Sequence, residues 1–311
     1  MTVRTRIRQP GRCRRTLLIG LVAAAVAAPV AYASTRAARG GEGLIAYWGD
    51  NGDSATLYTI GTDGSGRRKI VSGISKWWAY SWSPDGSHIV FTKAAGGIYV
   101  VAADGTGLRR LRGVPRSADA GDSSWSPDGT RIAFAIRQRG AIDLYVIGLD
   151  GKGLRRLTTT QYRNYYPSWS PDSRWILFER HRISGLSDLM TIRPDGSGLR
   201  RIATIVTGKQ CLCADWSPDG SKIAFEGTPS RQSSQPDIFV MNADGTGRRR
   251  ITNNTVRDEQ PDWSPDSSEL TFYSELVGNG EIYVVNADGT GLVRLTHDPW
   301  YSAFPRWQPN G

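Results

Sequence analysis

The chain has 311 residues, of which 39% are hydrophobic, and these include 11 tryptophans and 12 tyrosines. Such apolar content can build a sizeable core, and it excludes an intrinsically disordered chain. The formal net charge is +10, but the first 33 residues hold six arginines and no acid. The remainder therefore carries 33 basic and 29 acidic side chains, a net charge of only +4. With so small an excess we expect no nucleic-acid partner.

The N-terminal segment has the pattern of an export signal. Its arginines precede an apolar run from Leu17 to Ala28, and Ala31-Tyr32-Ala33 is a small-x-small cleavage site. We interpret residues 1–33 as a secretory signal peptide and residues 34–43 as a short linker. Arg14-Arg15 also fits a loose twin-arginine pattern, and an uncleaved N-terminal helix that anchors the chain in the membrane is the alternative to a cleaved signal. The expected location is periplasmic, extracellular or cell-wall associated.

A repeat fills the rest of the chain. Tryptophans recur at intervals of 43, 44, 47, 47 and 44 residues, and all but the last are followed by Ser-Pro-Asp: Trp82, Trp125, Trp169, Trp216, Trp263 and Trp307. Asp-Gly turns recur out of phase with them, at Asp63, Asp104, Asp150, Asp195, Asp244 and Asp288. A period of about 45 residues is typical of one four-stranded propeller blade per repeat. Residues 44–311 are therefore expected to form a single array.

The segments between the turns read as strands because they are short, alternate with period two and are rich in β-branched and aromatic residues. In chain order, the first unit supplies strands two, three and four at Leu44–Trp48, Leu57–Ile60 and Arg67–Ile70. Phe304–Trp307 is a strand one without successors. If it joins the N-terminal three strands, the chain is an all-β, six-bladed β-propeller whose shared blade closes the ring without an open sheet edge.

The Ser-Pro-Asp-Gly segments predict type I turns between strands one and two. Two copies replace the glycine with Ser173 or Ser267, a drift that favours a structural role for the aspartates over a catalytic one. The six repeat tryptophans are expected to be structural and to pack between neighbouring blades.

The combination of Trp-Ser-Pro-Asp-Gly, Ile-Ala-Phe, Ile-Tyr-Val and Asp-Gly-Thr-Gly pieces over residues 44–311 resembles the WD40-like β-propeller repeat of the TolB family. The resemblance implies a periplasmic propeller whose partners are envelope lipoproteins and other proteins. Propeller domains of prolyl-oligopeptidase-type enzymes are similar as well. No Gly-x-Ser-x-Gly nucleophile motif follows the repeats, which argues against the peptidase interpretation.

Function is expected on the face where the loops vary between repeats, the loops that follow strands two and four. Aromatic residues gather there with Asp119, Asp122 and Glu259 between them, a composition that suits a protein, peptide or glycan partner. The candidate partner-binding residues are Trp77, Trp78, Tyr80, Tyr162, Tyr165, Tyr166, Arg257, Asp258, Trp300, Tyr301 and Phe304. The alternative for each aromatic is that it plugs the ring. We expect a monomer.

No catalytic residues can be nominated, and we expect no metal and no cofactor. His88, His181 and His297 fall in three separate repeats, whereas a metal-dependent propeller enzyme needs clustered ligands. The leading hypothesis is a non-enzymatic propeller that binds a protein or peptide of the cell envelope. A polysaccharide lyase or lactonase-like enzyme, or a glycan-binding module, is the alternative.

Overall fold

The structure is a computed structural model that describes residues 43–50, 55–76, 79–116, 118–138, 140–159, 161–182, 186–206, 212–230 and 235–310. All of these belong to one compact unit, Ala33–Gly311. Every regular element in the described part of the chain is a β-strand. The same part contains no helix that is long and apolar enough to cross a membrane. The expected signal peptide, residues 1–33, and the linker as far as residue 42 lie outside the described residues.

Within the described residues, twenty-four strands form six antiparallel sets of four, and each set corresponds to one expected blade. Blade 1 contains β1 (Leu44–Asp50), β2 (Ala55–Gly61), β3 (Arg68–Ser72) and β24 (Tyr301–Trp307). Blade 2 contains β4 (Ser81–Trp82), β5 (His88–Thr92), β6 (Ile98–Ala102) and β7 (Arg109–Arg110). Blade 3 contains β8 (Asp119–Trp125), β9 (Arg131–Gln138), β10 (Ala141–Gly148) and β11 (Arg155–Arg156).

The remaining blades follow the same order along the chain. Blade 4 contains β12 (Arg163–Trp169), β13 (Ile176–His181), β14 (Leu186–Ile192) and β15 (Arg200–Val206). Blade 5 contains β16 (Asp215–Trp216), β17 (Lys222–Gly227), β18 (Asp237–Asn242) and β19 (Arg249–Arg250). Blade 6 contains β20 (Asp258–Trp263), β21 (Glu269–Val277), β22 (Asn279–Asn286) and β23 (Val293–Arg294).

The sheets show how the blades are joined. Blades 1, 2, 5 and 6 are separate four-stranded sheets, whereas one parallel bridge between Ile142 and Arg163 merges blades 3 and 4 into an eight-stranded sheet. In blade 1 the C-terminal strand β24 pairs antiparallel with β1, with Ile45 opposite Trp307. The all-β propeller fold and its closure by the C-terminal strand are therefore confirmed.

The core lies between the blades. Among the described residues, six clusters of buried apolar side chains join neighbouring blades, and the cluster of blades 1 and 2 also includes Tyr273 of blade 6. Phe134 of blade 3, for example, packs with Val90 of blade 2, and Ile45 of blade 1 packs with Ile282 of blade 6. Because each blade presents apolar side chains on both of its faces, the hydrophobic contacts form a closed ring.

The Ser-Pro-Asp turns behave as structural elements. In the first copy Ser83 Oγ donates to Asp85 Oδ1 at 2.5 Å, and the Ser87 amide donates to the same oxygen at 3.0 Å. These hydrogen bonds lower the pKa of Asp85 to about 2. Ser173 and Ser267, which replace the turn glycine, adopt the left-handed φ values of 58° and 62° that glycine adopts elsewhere.

Candidate binding surfaces

The innermost strands carry a repeated irregularity that shapes the centre of the ring. Five residues in the left-handed region of φ each lie three positions before a repeat tryptophan: Asp122, Tyr166, Cys213, Gln260 and Phe304. In four of the blades the pairing register shifts at this point, as expected for a β-bulge. At these positions the bulge displaces the inner strand from its regular path.

Polar side chains at these bulges connect neighbouring inner strands. Asp122 Oδ1 accepts from the amide of Ala79 at 3.0 Å, and its Oδ2 accepts from the amide of Tyr166 at 3.3 Å. In the same way Gln260 Oε1 accepts from the amide of Phe304 at 2.8 Å. Burial raises the pKa of Asp122 to about 7, against the lowering effect of its two backbone hydrogen bonds. In the described part of the chain the inner strands of neighbouring blades do not pair through their backbones, and these side chains connect them instead.

A central cavity of about 170 Å³ is lined by residues from the inner strands of all six blades. Its polar lining includes Ser168, Asp215, Asp262 and Arg306. Asp262 Oδ2 accepts from the Trp307 amide at 2.6 Å, and Arg306 Nη1 lies 3.8 Å from its Oδ1. Burial raises the pKa of Asp262 well above its usual value, Arg306 opposes this, and the neighbouring Asp215 raises it further. The central cavity therefore holds the Asp262 carboxyl group in surroundings that disfavour its ionisation.

Three of the predicted partner-binding residues are buried in the ring. Tyr80 is 2% exposed and donates from its hydroxyl to the carbonyl oxygen of Phe304, which is itself 7% exposed. Asp258 is 0% exposed and accepts from Asn254 Nδ2 at 2.7 Å. All three are on or next to an inner strand, where the neighbouring blades cover them.

The other predicted residues are placed as follows. Tyr162 is exposed, and the Arg180 guanidinium lies 5.3 Å from its ring centroid. Tyr165 and Tyr166 are half-buried and tilted against each other at 6.0 Å. Trp300 is half-buried, with Arg67 5.0 Å above its ring. Trp77 and Trp78 lie outside the described residues.

The structure brings Tyr301 and Arg257 together with residues that sequence reasoning missed, at the loop-face seam of blades 6 and 1. Tyr301 is 37% exposed, and its ring centroid lies 5.0 Å from that of Tyr273 and 5.4 Å from that of Trp48. Arg257 Nη2 pairs with Glu259 Oε1 at 2.6 Å. We call Trp48, Tyr273, Tyr301, Arg257 and Glu259 the seam cluster. The seam cluster has one signal in the sequence. In blades 1 and 6 the residue after the aromatic of strand two is itself aromatic, Trp48 or Tyr273. The other blades have Thr92, Ala135, Glu179 and Glu226 at this position.

Hydrogen bonds and ionic contacts hold the side chains of the seam cluster in place. Tyr273 donates from its hydroxyl to Glu275 Oε1 at 2.8 Å. Burial raises the pKa of Tyr301 to about 12 and also raises the pKa of Glu259, although Arg257 opposes the shift of Glu259. The cluster therefore presents the partly exposed ring of Tyr301 beside an ion pair, and the buried rings of Trp48 and Tyr273 hold it in place.

A set of three side chains, an acid, an arginine and a threonine, is repeated in three of the blades. In blade 6, the Glu281 carboxylate accepts from Arg294 Nη2 at 2.7 Å and from the hydroxyl of Thr296, and Thr296 Oγ1 accepts from the Ile282 amide at 2.9 Å. Blades 3 and 5 repeat it with Asp143, Arg156 and Thr158 and with Asp237, Arg250 and Thr252. In each of these three blades the last residue of the outer strand is thus an arginine that pairs with a buried acid.

The predicted structural tryptophans all lie next to the inner-strand turns. Trp82, Trp169, Trp263 and Trp307 are buried, whereas Trp125 and Trp216 are half-buried. Trp82 Nε1 donates to the Arg306 carbonyl at 3.0 Å and Trp169 Nε1 to the Ser124 carbonyl at 3.2 Å, in each case across a blade junction. Within the described residues no group of three or more His, Cys, Asp or Glu side chains is placed to hold a metal ion.

The six four-stranded blades surround the central cavity, and the C-terminal strand closes the ring. This arrangement defines a β-propeller repeat protein. A family model described as "TolB beta propeller domain" matches residues 117–228 and 205–311, which together make up more than half of the chain. The chain belongs to this family.

Known relatives agree with this assignment. Over 133 residues the chain is 33% identical to the Tol-Pal system protein TolB of Anaeromyxobacter dehalogenans (strain 2CP-C), a match that covers 43% of this chain and 29% of that protein. The chain thus spans less than a third of the length of the curated relatives it matches.

Solved structures show the same fold at low identity. The crystal structure of TolB from Acinetobacter baumannii aligns with a TM-score of 0.71 at 19% identity, covering 86% of this chain and 67% of that one. Oligogalacturonate lyase from Vibrio parahaemolyticus aligns with a TM-score of 0.54 at 10% identity, covering 81% and 89%. At such identities the likeness extends to the propeller and not to what it binds.

Proposed function

We propose that this protein is an exported, non-enzymatic β-propeller that binds a protein or peptide of the cell envelope through its loop face. The observation that carries the proposal is the seam cluster, in which the half-exposed ring of Tyr301 rests on Trp48 and Tyr273 beside the Arg257–Glu259 ion pair. Rigid aromatic side chains next to an arginine are the composition in which interface hot spots are enriched.

The position of the cluster supports this role. Tyr301 begins β24 and Arg257 immediately precedes β20, so both lie where an outer strand leads into the next inner strand. Tyr273 and Trp48 lie within second strands, β21 and β1, and cannot move with a loop, because both are buried. A partner would therefore meet a preorganised surface, which reduces the conformational entropy lost on binding.

The envelope as the location rests on two observations. The relatives of this chain are proteins of the Tol-Pal system. The first 33 residues have the arginine-rich region, apolar run and small-residue site of an export signal.

The proposal is tested by crosslinking pull-down from an envelope fraction with the full chain and with Tyr301→Ala, Arg257→Ala and Trp300→Ala. Each substitution should weaken capture of the same partner by about tenfold or more, since truncating a hot-spot residue costs upwards of about 1–2 kcal/mol. Leu154→Ala, which truncates an exposed leucine next to an Asp-Gly turn on the opposite face, is the matched control. Equal capture by all variants contradicts the proposal.

An activity assay distinguishes an enzymatic role from the proposed binding role. Incubation of the protein with polygalacturonate, with and without EDTA, is expected to give no unsaturated product in either case. Product formation that Tyr301→Ala abolishes would assign the same face to catalysis instead.

A further inference from the structure

The turn face, where the Ser-Pro-Asp and Asp-Gly turns lie, departs from the repeat at one junction. A cleft of about 480 Å³ lies between blades 4 and 5 and is formed by turns of both. It is larger than the central cavity and within the size range of small-molecule sites. The lining residues that matter here are Asp172, Trp175, Thr191, Arg200, Trp216 and Asp244.

At the neighbouring junction between blades 3 and 4 an arginine fills the equivalent space. There the guanidinium of Arg131 lies 4.9 Å from the ring centroid of Trp169 and 3.1 Å from Asp128 Oδ2. One side chain thus covers the tryptophan of the next blade and neutralises the turn aspartate of its own blade. Trp169 is only 5% exposed.

At the junction of blades 4 and 5 the equivalent residues are Trp175, Asp172 and Trp216. Trp175 stands where blade 3 has Arg131, and blades 2, 5 and 6 have His88, Lys222 and Glu269 at this position. Its ring is engaged by Arg193 of its own blade, whose guanidinium lies 4.9 Å from the ring centroid. Among the described residues no cation lies over Trp216, which is half-buried. The substitution therefore leaves an open cleft with two tryptophans in its walls.

Polar atoms without partners also line this cleft. Thr191 is 2% exposed, yet its Oγ1 has no hydrogen-bond partner among the described residues, and neither has Nε1 of Trp216. Buried polar groups are rarely left unpaired unless a ligand or water completes them. Asp172 Oδ1 accepts from Ser170 Oγ and from the Arg174 amide, but its Oδ2 accepts nothing within the described part of the chain, in contrast to Asp128 Oδ2.

The balance of charge narrows the ligand class. Hydrogen bonds from Thr246 hold the pKa of Asp244 below its usual value, and those from Ser170 and Arg174 do so for Asp172 against the effect of burial, so both are ionised at neutral pH. Asp219 lines the same cleft as a third carboxylate, and these groups disfavour an anionic ligand, since only the exposed Arg200 offsets their charge. Donors and acceptors on both sides of an aromatic pair suit a ligand with apolar ring faces and many hydroxyl groups.

We propose that the cleft between blades 4 and 5 binds a neutral saccharide, with a sugar ring packed against Trp175 and Trp216. Its hydroxyl groups would pair with Thr191, Arg200 and the open oxygens of Asp172 and Asp244. The site is on the face opposite the seam cluster, so the protein would hold a glycan and a protein partner at the same time.

The binding test uses calorimetry or ligand-observed NMR with the full chain and neutral tetrasaccharides of glucose and of N-acetylglucosamine. At least one should bind with a Kd between about 10 μM and a few millimolar. Tetragalacturonate and choline are the anionic and cationic comparisons, and neither should bind comparably. No binding of any neutral probe at about 10 mM, or binding of a charged probe only, overturns the proposal.

Variants connect binding to the cleft. Trp175→Arg rebuilds the arrangement of blades 3 and 4, so it should weaken binding by about tenfold or more while the chain unfolds at the same or a higher temperature. Trp175→Lys, the residue that blade 5 carries there, is the second choice if the arginine variant does not fold. Thr191→Val should also weaken binding, because it removes the hydroxyl and keeps the volume.

Two controls locate the effect. Arg131→Lys, at the equivalent position of blade 3, and Tyr301→Ala, on the loop face, should leave saccharide affinity unchanged. Unaltered binding by both variants of Trp175 overturns the assignment, whatever happens to the protein partner.

Discussion

Ile45 and Trp307 lie opposite each other in the antiparallel pair of β1 and β24, and this pairing closes the ring. The two residues also share one buried apolar cluster with Ile282 and Leu295 of blade 6. The C-terminal strand therefore both completes the sheet of blade 1 and packs that sheet against its neighbour.

Deletion of residues 301–311 should destabilise the whole ring and not blade 1 alone. Without β24 the first blade exposes the edge of β1, and blade 6 loses a packing partner. Circular dichroism and thermal melting should show loss of the single cooperative transition. Deletion of residues 309–311 only, which spares the strand, should change the stability by about 1 kcal/mol or less. Identical melting of the two truncated chains would falsify this role for the strand.

Trp169→Ala should lower the free energy of unfolding by about 3–5 kcal/mol, because it leaves a cavity between blades 3 and 4 and removes the surface on which Arg131 rests. Urea unfolding with linear extrapolation measures the loss. Trp125→Ala, at the equivalent but half-buried position of blade 3, should cost clearly less. Equal losses at both positions would show that burial does not set the contribution of the repeat tryptophan.

Asp122→Asn should change how stability depends on pH. The pKa of the folded Asp122 carboxyl, about 7, lies above the usual value near 4, so the folded state binds the proton more tightly than the unfolded state. Its contribution is complete below about pH 4 and is lost as the pH rises to about 7, a change of at most about 4 kcal/mol. The asparagine variant keeps an oxygen for the Ala79 amide and should lose this part of the slope. Parallel pH profiles of the two proteins between pH 4 and 8 would contradict the assignment.

Arg294→Met should destabilise the protein by about 3 kcal/mol, because it leaves the fully buried Glu281 carboxylate without its cation. Adding Glu281→Gln should restore most of the loss, since the remaining amide can still accept from Thr296. A double-mutant cycle by chemical denaturation measures the coupling. Additive effects of the two substitutions would mean that the pair contributes little beyond the space it fills.

Much of the architecture could be predicted from local patterns. The Asp-Gly and Ser-Pro-Asp turns have backbone requirements that residue type reveals, and the strands between them alternate with period two. Even the closure followed from Phe304–Trp307 being a first strand without successors. Each of these signals lies within a few consecutive residues.

The inner bulges had no such local signal, and the signal of the seam cluster, Trp48 and Tyr273 after the strand-two aromatic, emerges only when all six repeats are compared. Tyr166 and Phe304 adopt left-handed φ although neither is a residue type that favours it, because neighbouring blades fix the backbone through Asp122 and Gln260. Tyr80 looked like a surface anchor, but its hydroxyl group is bound by the Phe304 carbonyl, 224 positions away in the chain. Trp175 was not singled out from the sequence, and only the comparison of two blade junctions shows what it changes.

The composition of blade 1 also has a consequence for biosynthesis. Its strands β1 to β3 leave the ribosome first among the described strands, and β24 follows only after the twenty strands of blades 2 to 6. Throughout that interval β1, with its five buried residues Ile45 to Gly49, lacks the strand that covers its edge. A nascent chain of this protein therefore exposes an unpaired strand edge for almost the whole of its synthesis. The yield of the folded ring depends on how well that edge is protected from pairing with other chains.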